Sequence, residues 1–136
     1  MNATTTALIY FDGGTTCNKP SVGLGEGYGS YKINSRPIVR LKLGKPHTNN
    51  SAEVATLYAA VVEAKALGWR KLHIFGDSQV ALKACLPRPV SRSSRYPDNG
   101  SDMYKQARRD LQLALAYVTF TTQWVPREQI FNLFGH

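Results

Sequence analysis

Cysteine is nearly absent from this chain. Cys17 and Cys85 are the two present, with no CxxC spacing and no histidine pair nearby. A zinc site is therefore excluded, and the thiols read as reduced ones in a cytoplasmic protein. Long apolar runs are missing too, so no segment is able to span a bilayer as a helix. The opening stretch MNATTTALIY has no basic start followed by an apolar run, which excludes a secretory signal. Acids are scarce: Asp plus Glu is 9 against 17 Lys plus Arg, a net charge of +8 on 136 residues. That excess asks for a polyanionic partner. With no basic amphipathic helix in view, a phosphate backbone comes before a membrane surface. There are no internal repeats or low-complexity tails. The length suits one domain, residues 1–136, and 43% hydrophobic content is enough for a real core.

The pattern along the chain predicts an α/β protein. TALIYFD (6–12) is a β-rich run ending in Asp-Gly-Gly, read as a strand entering a turn. GLGEGYGSYKI and RPIVRLKLG continue as two more strands of an antiparallel meander. A helix follows, capped by Asn50 or Ser51, with apolar residues at helical spacing from Val54 to Leu67 and Gly68 as its stop. KLHIFGD is a buried strand, SQVALKACL a short helix and DMYKQARRDLQLALAYV a long one. TFTTQWVP is the last strand and REQIFNLFGH a short terminal helix. Crossover helices make the first, fourth and fifth strands parallel. The result is a five-stranded mixed sheet, three strands antiparallel and two added in parallel, flanked by helices. Trp69 and Trp124 are expected in the core.

Because acids are few, their positions carry information. Asp12 ends the first strand and Asp77 the fourth, and ligands of open α/β sheets bind at such carboxyl ends. Plainer roles exist. Asp77 precedes Ser78 and could cap the next helix, and Asp12 before Gly13 and Gly14 could be turn chemistry. If instead the two sit side by side, they need a cation or a shared proton, and the glycines leave room for a bulky ligand. Glu53 favours that second reading. It lies about one turn into its helix among Ala52, Val54 and Ala55, away from an obviously solvated face. Three carboxylates at one sheet edge suit hard divalent cations such as Mg²⁺. Two such ions serve phosphodiester cleavage.

YFDGG, TNNSAEVATLYAA and FGDSQVALKAC resemble, in order, the three signature blocks of type 1 ribonuclease H, and WVPRE resembles the strand end before that family's fourth. The similarity covers nearly the whole chain. It implies cleavage of the RNA strand of an RNA/DNA hybrid with two Mg²⁺ or Mn²⁺ ions held by Asp12, Glu53 and Asp77. Glu53 would also contact the 2′-hydroxyl beside the scissile phosphate. The resemblance further implies substrate contacts by Gly13, Gly14, Thr48, Asn49, Asn50 and Gln79. A loop carrying Arg88, Arg92 and Arg95 stands where many relatives have a basic protrusion that grips the DNA strand. The catalytic domain would act alone, as a monomer.

The family's fourth acid has no counterpart, since no Asp follows residue 110. The register of NLFGH points to His136, with Asn132 next and Glu128 third, all on one helix face. A histidine there binds Mn²⁺ better than Mg²⁺, so a strong Mn²⁺ preference is expected. The rival readings are a catalytically silent nucleic-acid-binding module of the same fold, and another nuclease such as an integrase or resolvase.

Overall fold

A computed structural model describes residues 6–16, 25–86 and 102–135. The elements are β1 (Thr6–Thr15), β2 (Gly25–Ile33), β3 (Val39–His47), α1 (Asn49–Ala66), β4 (Lys71–Gly76), α2 (Gln79–Ala84), α3 (Asp102–Ala114), β5 (Thr119–Trp124) and α4 (Arg127–Phe134). The strands form one sheet in the order β3-β2-β1-β4-β5. β1–β2 and β2–β3 pair antiparallel, while β1–β4 and β4–β5 pair parallel. This is the mixed sheet expected from the sequence, with β1 and β4 at its centre. No described helix is long and apolar enough to cross a membrane.

Alternation decides which face of the sheet is covered. Ala7, Ile9 and Phe11 of β1 and Leu72 and Ile74 of β4 point to one side. They meet the stripe Val54, Leu57, Val61 and Ala64 of α1 together with Ala107 and Leu111 of α3. Each large apolar side chain buried there contributes about 1.5–3 kcal/mol. Tyr10 and Phe75 point the other way, stacked with ring centroids 4.6 Å apart. They pack with Val125, Ile130 and Phe134 of the α4 segment.

Several local expectations are corrected. β1 does not turn at Asp-Gly-Gly but continues to Thr15, Gly13 pairing with Gly29 and Gly14 with Tyr28. The space beside these glycines is already filled. A Cβ on Gly13 would lie 2.9 Å from backbone atoms of Ala52 and Glu53, and one on Gly14 would lie 2.7 Å from the Tyr28 hydroxyl. On that side they admit helix and ring, while both glycines also border an open cleft. Thr48, rather than Asn50 or Ser51, caps α1. Its hydroxyl accepts from the Ser51 N–H at 3.1 Å, and its own N–H donates to Ser51 Oγ at 2.8 Å. Ser51 is further tied to His47 Nδ1 at 2.9 Å. At the other end Gly68 takes φ +99° and stops the helix, as read from the sequence. α3 ends at Ala114, earlier than Val118. Ala116 and Val118 donate to the carbonyls three residues before them, tightening the chain ahead of the β-branched run of β5. Trp69 packs against the core, but Trp124 stands half exposed at the end of β5.

Candidate active site

The register of the two central strands sets the site. β1 and β4 run parallel with Tyr10 opposite Phe75. Two residues further along each strand come Asp12 and Asp77, level with one another. The plainer roles for both fall away. Asp12 sits inside a strand opposite Ser30, not in a turn. Ser78, not Asp77, caps α2, its hydroxyl accepting the Ala81 N–H at 3.1 Å. Glu53 reaches the same edge because Gly13 lets the first turn of α1 lie directly on β1. One ligand oxygen from each of Asp12, Glu53 and Asp77 lies within 4.8 Å of the others, all three side chains half-buried.

Three carboxylates this close are costly when charged. Burial, then the charge of Asp77, pushes Asp12 up to about 6 from an ordinary 3.8; the Gly13 N–H and Arg127 oppose the rise. Burial pushes Glu53 up to about 7, and the charges of Asp77 and Asp12 add to it. A hydrogen bond from Ser78 and the charge of Arg127 pull Glu53 the other way. Partly desolvated oxygens with raised pKa values are what a divalent cation would relieve. The donor set is all oxygen, which fits Mg²⁺ or Mn²⁺ and does not suit a soft metal.

The three acids open into a cleft of about 380 Å³ lined also by Gly13, Gly14, Thr15, Tyr28, Asn49, Ser78, Trp124 and Arg127. Asn49 joins the wall because its Oδ1 accepts both the N–H of Thr15, at 3.0 Å, and the Thr15 hydroxyl, at 3.2 Å. Thr48 stands one residue away, its hydroxyl engaged in the cap. Asn50 and Gln79 are exposed, each near the start of its helix. Arg88, Arg92, Arg95 and His136 lie outside the described residues. Asn132 and Glu128 face a separate groove with Phe131 and Arg127. What the α4 segment brings to the cleft is Arg127. The sequence reading missed it, as it missed Tyr28, Ser78 and the exposure of Trp124. The fold shows why Arg127 arrives there: the Val125 N–H bonds the Gly76 carbonyl at 2.9 Å, so the chain leaves β5 over the same sheet edge as Asp77.

The strand order, with carboxylates on adjacent central parallel strands and on the crossing helix, is the ribonuclease H fold. The chain is similar to ribonuclease H1 of the halophilic archaeon Halobacterium salinarum, with TM-score 0.71 and 21% identity over 92% of this chain and 89% of that one. It is similar to the N-terminal ribonuclease H domain of Rv2228c from Mycobacterium tuberculosis, determined as a fusion with maltose-binding protein (TM-score 0.72, 19% identity, 95% and 88% covered). The structure of LC11-RNase H1 in complex with an RNA/DNA hybrid matches with TM-score 0.68 and 16% identity, covering 93% and 89%. No protein-family model and no curated protein matches the sequence.

Proposed function

We propose that this chain is a single-domain, divalent-metal-dependent endoribonuclease that cuts the RNA strand of RNA/DNA hybrids. One observation carries the reading: three carboxylates from β1, α1 and the end of β4 converge within 4.8 Å at the sheet edge. The fold shared with a hybrid-bound ribonuclease H1 and the net charge of +8 support it. Asp12, Glu53 and Asp77 would hold two Mg²⁺ or Mn²⁺ ions, which supply charge neutralisation at the scissile phosphate and an activated water.

The protein's own groups do the positioning. Asp12 sits on a central strand, and α1 anchors Glu53 through the Thr48 cap. Asn49 pins the end of β1 to α1, so these two carboxylates keep their spacing. Glu53 accepts from the 2′-hydroxyl next to the cut, a group that DNA lacks. Arg127, with no acid within ion-pair distance among the described residues, binds the non-bridging phosphate oxygens. The sheet edge sets the chemistry, and basic residues outside the cleft add affinity that falls steeply with salt.

The test is cleavage of an end-labelled RNA/DNA hybrid in Mg²⁺ and in Mn²⁺, beside duplex DNA and duplex RNA. Cut RNA in the hybrid alone, lost by at least about a thousandfold in Asp12→Asn, is expected. Folded protein that binds the hybrid but cuts it with neither ion would replace the enzyme by a binding module. Cleavage that survives Asp12→Asn would move the site elsewhere.

A further inference from the structure

The two tryptophans of this chain have opposite surroundings. Trp69 packs against the main core. Trp124 leaves 49% of its surface exposed and lines the carboxylate cleft. It is the last residue of β5 and pairs with Gly76, the residue just before Asp77. Its indole N–H donates to the Asp77 carbonyl at 3.1 Å. That bond holds one edge of the ring against the site and leaves ring surface open to whatever enters the cleft. A large apolar surface kept in water is unfavourable, and a packed core position was open to this residue type, as Trp69 shows. The neighbours on the rim specify what would cover it. Asp12, Glu53, Asp77 and Arg127 together call for cations and a phosphate ester, and the group next to a phosphate in a nucleic-acid chain is a sugar. In a duplex the base faces are covered by their stacked neighbours, whereas sugar C–H faces remain on the outside.

Resting on the nuclease reading above, we propose that Trp124 is a substrate-positioning residue whose indole packs on the sugar of the nucleotide next to the phosphate held at the carboxylates. It fixes where the strand lies and takes no part in bond breaking.

Steady-state cleavage of the hybrid by the full chain tests this with Trp124→Ala and Trp124→Phe. Trp124→Ala raises KM about three- to tenfold, the range of a single aromatic contact, and leaves kcat within about twofold. Trp124→Phe keeps a ring without the N–H and restores most of the lost KM. A second arm needs no activity and no Trp124 variant. In Trp69→Phe/Asp12→Asn, Trp124 is the sole indole, and its fluorescence changes saturably on adding hybrid but not on adding inorganic phosphate. The proposal is overturned if folded Trp124→Ala keeps its KM, if Trp124→Phe is no better than Trp124→Ala, or if the fluorescence ignores the hybrid. If wild-type protein neither binds nor cuts the hybrid, the nuclease reading itself has failed, an outcome separate from any of these.

Discussion

Ser78 joins a helix cap to a carboxylate: its hydroxyl accepts the Ala81 N–H at 3.1 Å and donates to Glu53. One side chain thus fixes the start of α2 and opposes the upward shift of the Glu53 pKa. Ser78→Ala is expected to cost about 1 kcal/mol in thermal unfolding, the usual loss for an N-cap. It also moves the acid limb of the pH–rate profile to higher pH, because the bond it deletes favours the charged form of Glu53. Ser78→Thr keeps both contacts and should restore both readouts. An unmoved acid limb in Ser78→Ala would show that the hydroxyl serves the helix alone.

Metal affinity and pH are coupled through the same acids. Their folded-state pKa values, about 6 for Asp12 and about 7 for Glu53, lie above the ordinary 3.8 and 4.5. Between those limits the native metal-free protein holds protons that the unfolded chain has released. Its stability therefore falls as pH rises from about 4 to about 7 and levels off above. A divalent cation displaces those protons, so its stabilising effect grows over the same window. Thermal unfolding with chelator and with Mn²⁺, at steps between about pH 5 and about pH 8, reads both trends. An equal Mn²⁺ effect at the two ends would contradict them.

Gly13 is the contact through which α1 presses on β1. Its hypothetical Cβ meets backbone of Ala52 and Glu53 at 2.9 Å, and backbone cannot swing aside. Gly13→Ala should destabilise by about 1–3 kcal/mol and also depress kcat, because relief of the clash displaces Glu53. Gly68→Ala strains the left-handed stop of α1, φ +99°, at the opposite end of the helix from Glu53. It should lower the melting temperature and leave kcat per folded molecule nearly intact. Comparable kcat losses in both would remove Gly13 from its positioning role.

Arg127 is expected to act on turnover. Arg127→Ala should lower kcat by about ten- to a hundredfold, the lower end for removing one stabilising donor, since this residue is solvent-exposed. Arg127→Lys recovers part of it by charge without the planar fork. A change confined to KM would assign the guanidinium to general affinity instead.

The fold was legible in the sequence because the apolar periods of its core elements are clean. Ala7, Ile9 and Phe11 alternate, while Val54, Leu57, Val61 and Ala64 recur at helical spacing. The meeting of Asp12, Glu53 and Asp77 was legible because acids are few and the crossover helix sets β4 beside β1, although Asp12 lies within β1 and not at its end. What escaped depended on partners distant in the chain. Gly13 and Gly14 read as a turn, and only pairing with β2 keeps them in a strand. Thr48 took the cap because Ser51 answered it and His47 held Ser51. Trp124 reads as core until β5 is seen to end over the cleft.

The continuation of β1 through Asp12 also has a consequence in time. The strand is bonded to β2 as far as Thr15 and to β4 as far as Tyr10. Asp12 lies past the last pair with β4, held by β2 on one side and facing the cleft on the other, so amides around it should exchange ahead of those of Ile9 and Tyr10, which are paired on both sides. Heating should therefore slacken the carboxylate edge before the middle of the sheet opens, and activity would fade ahead of the native sheet.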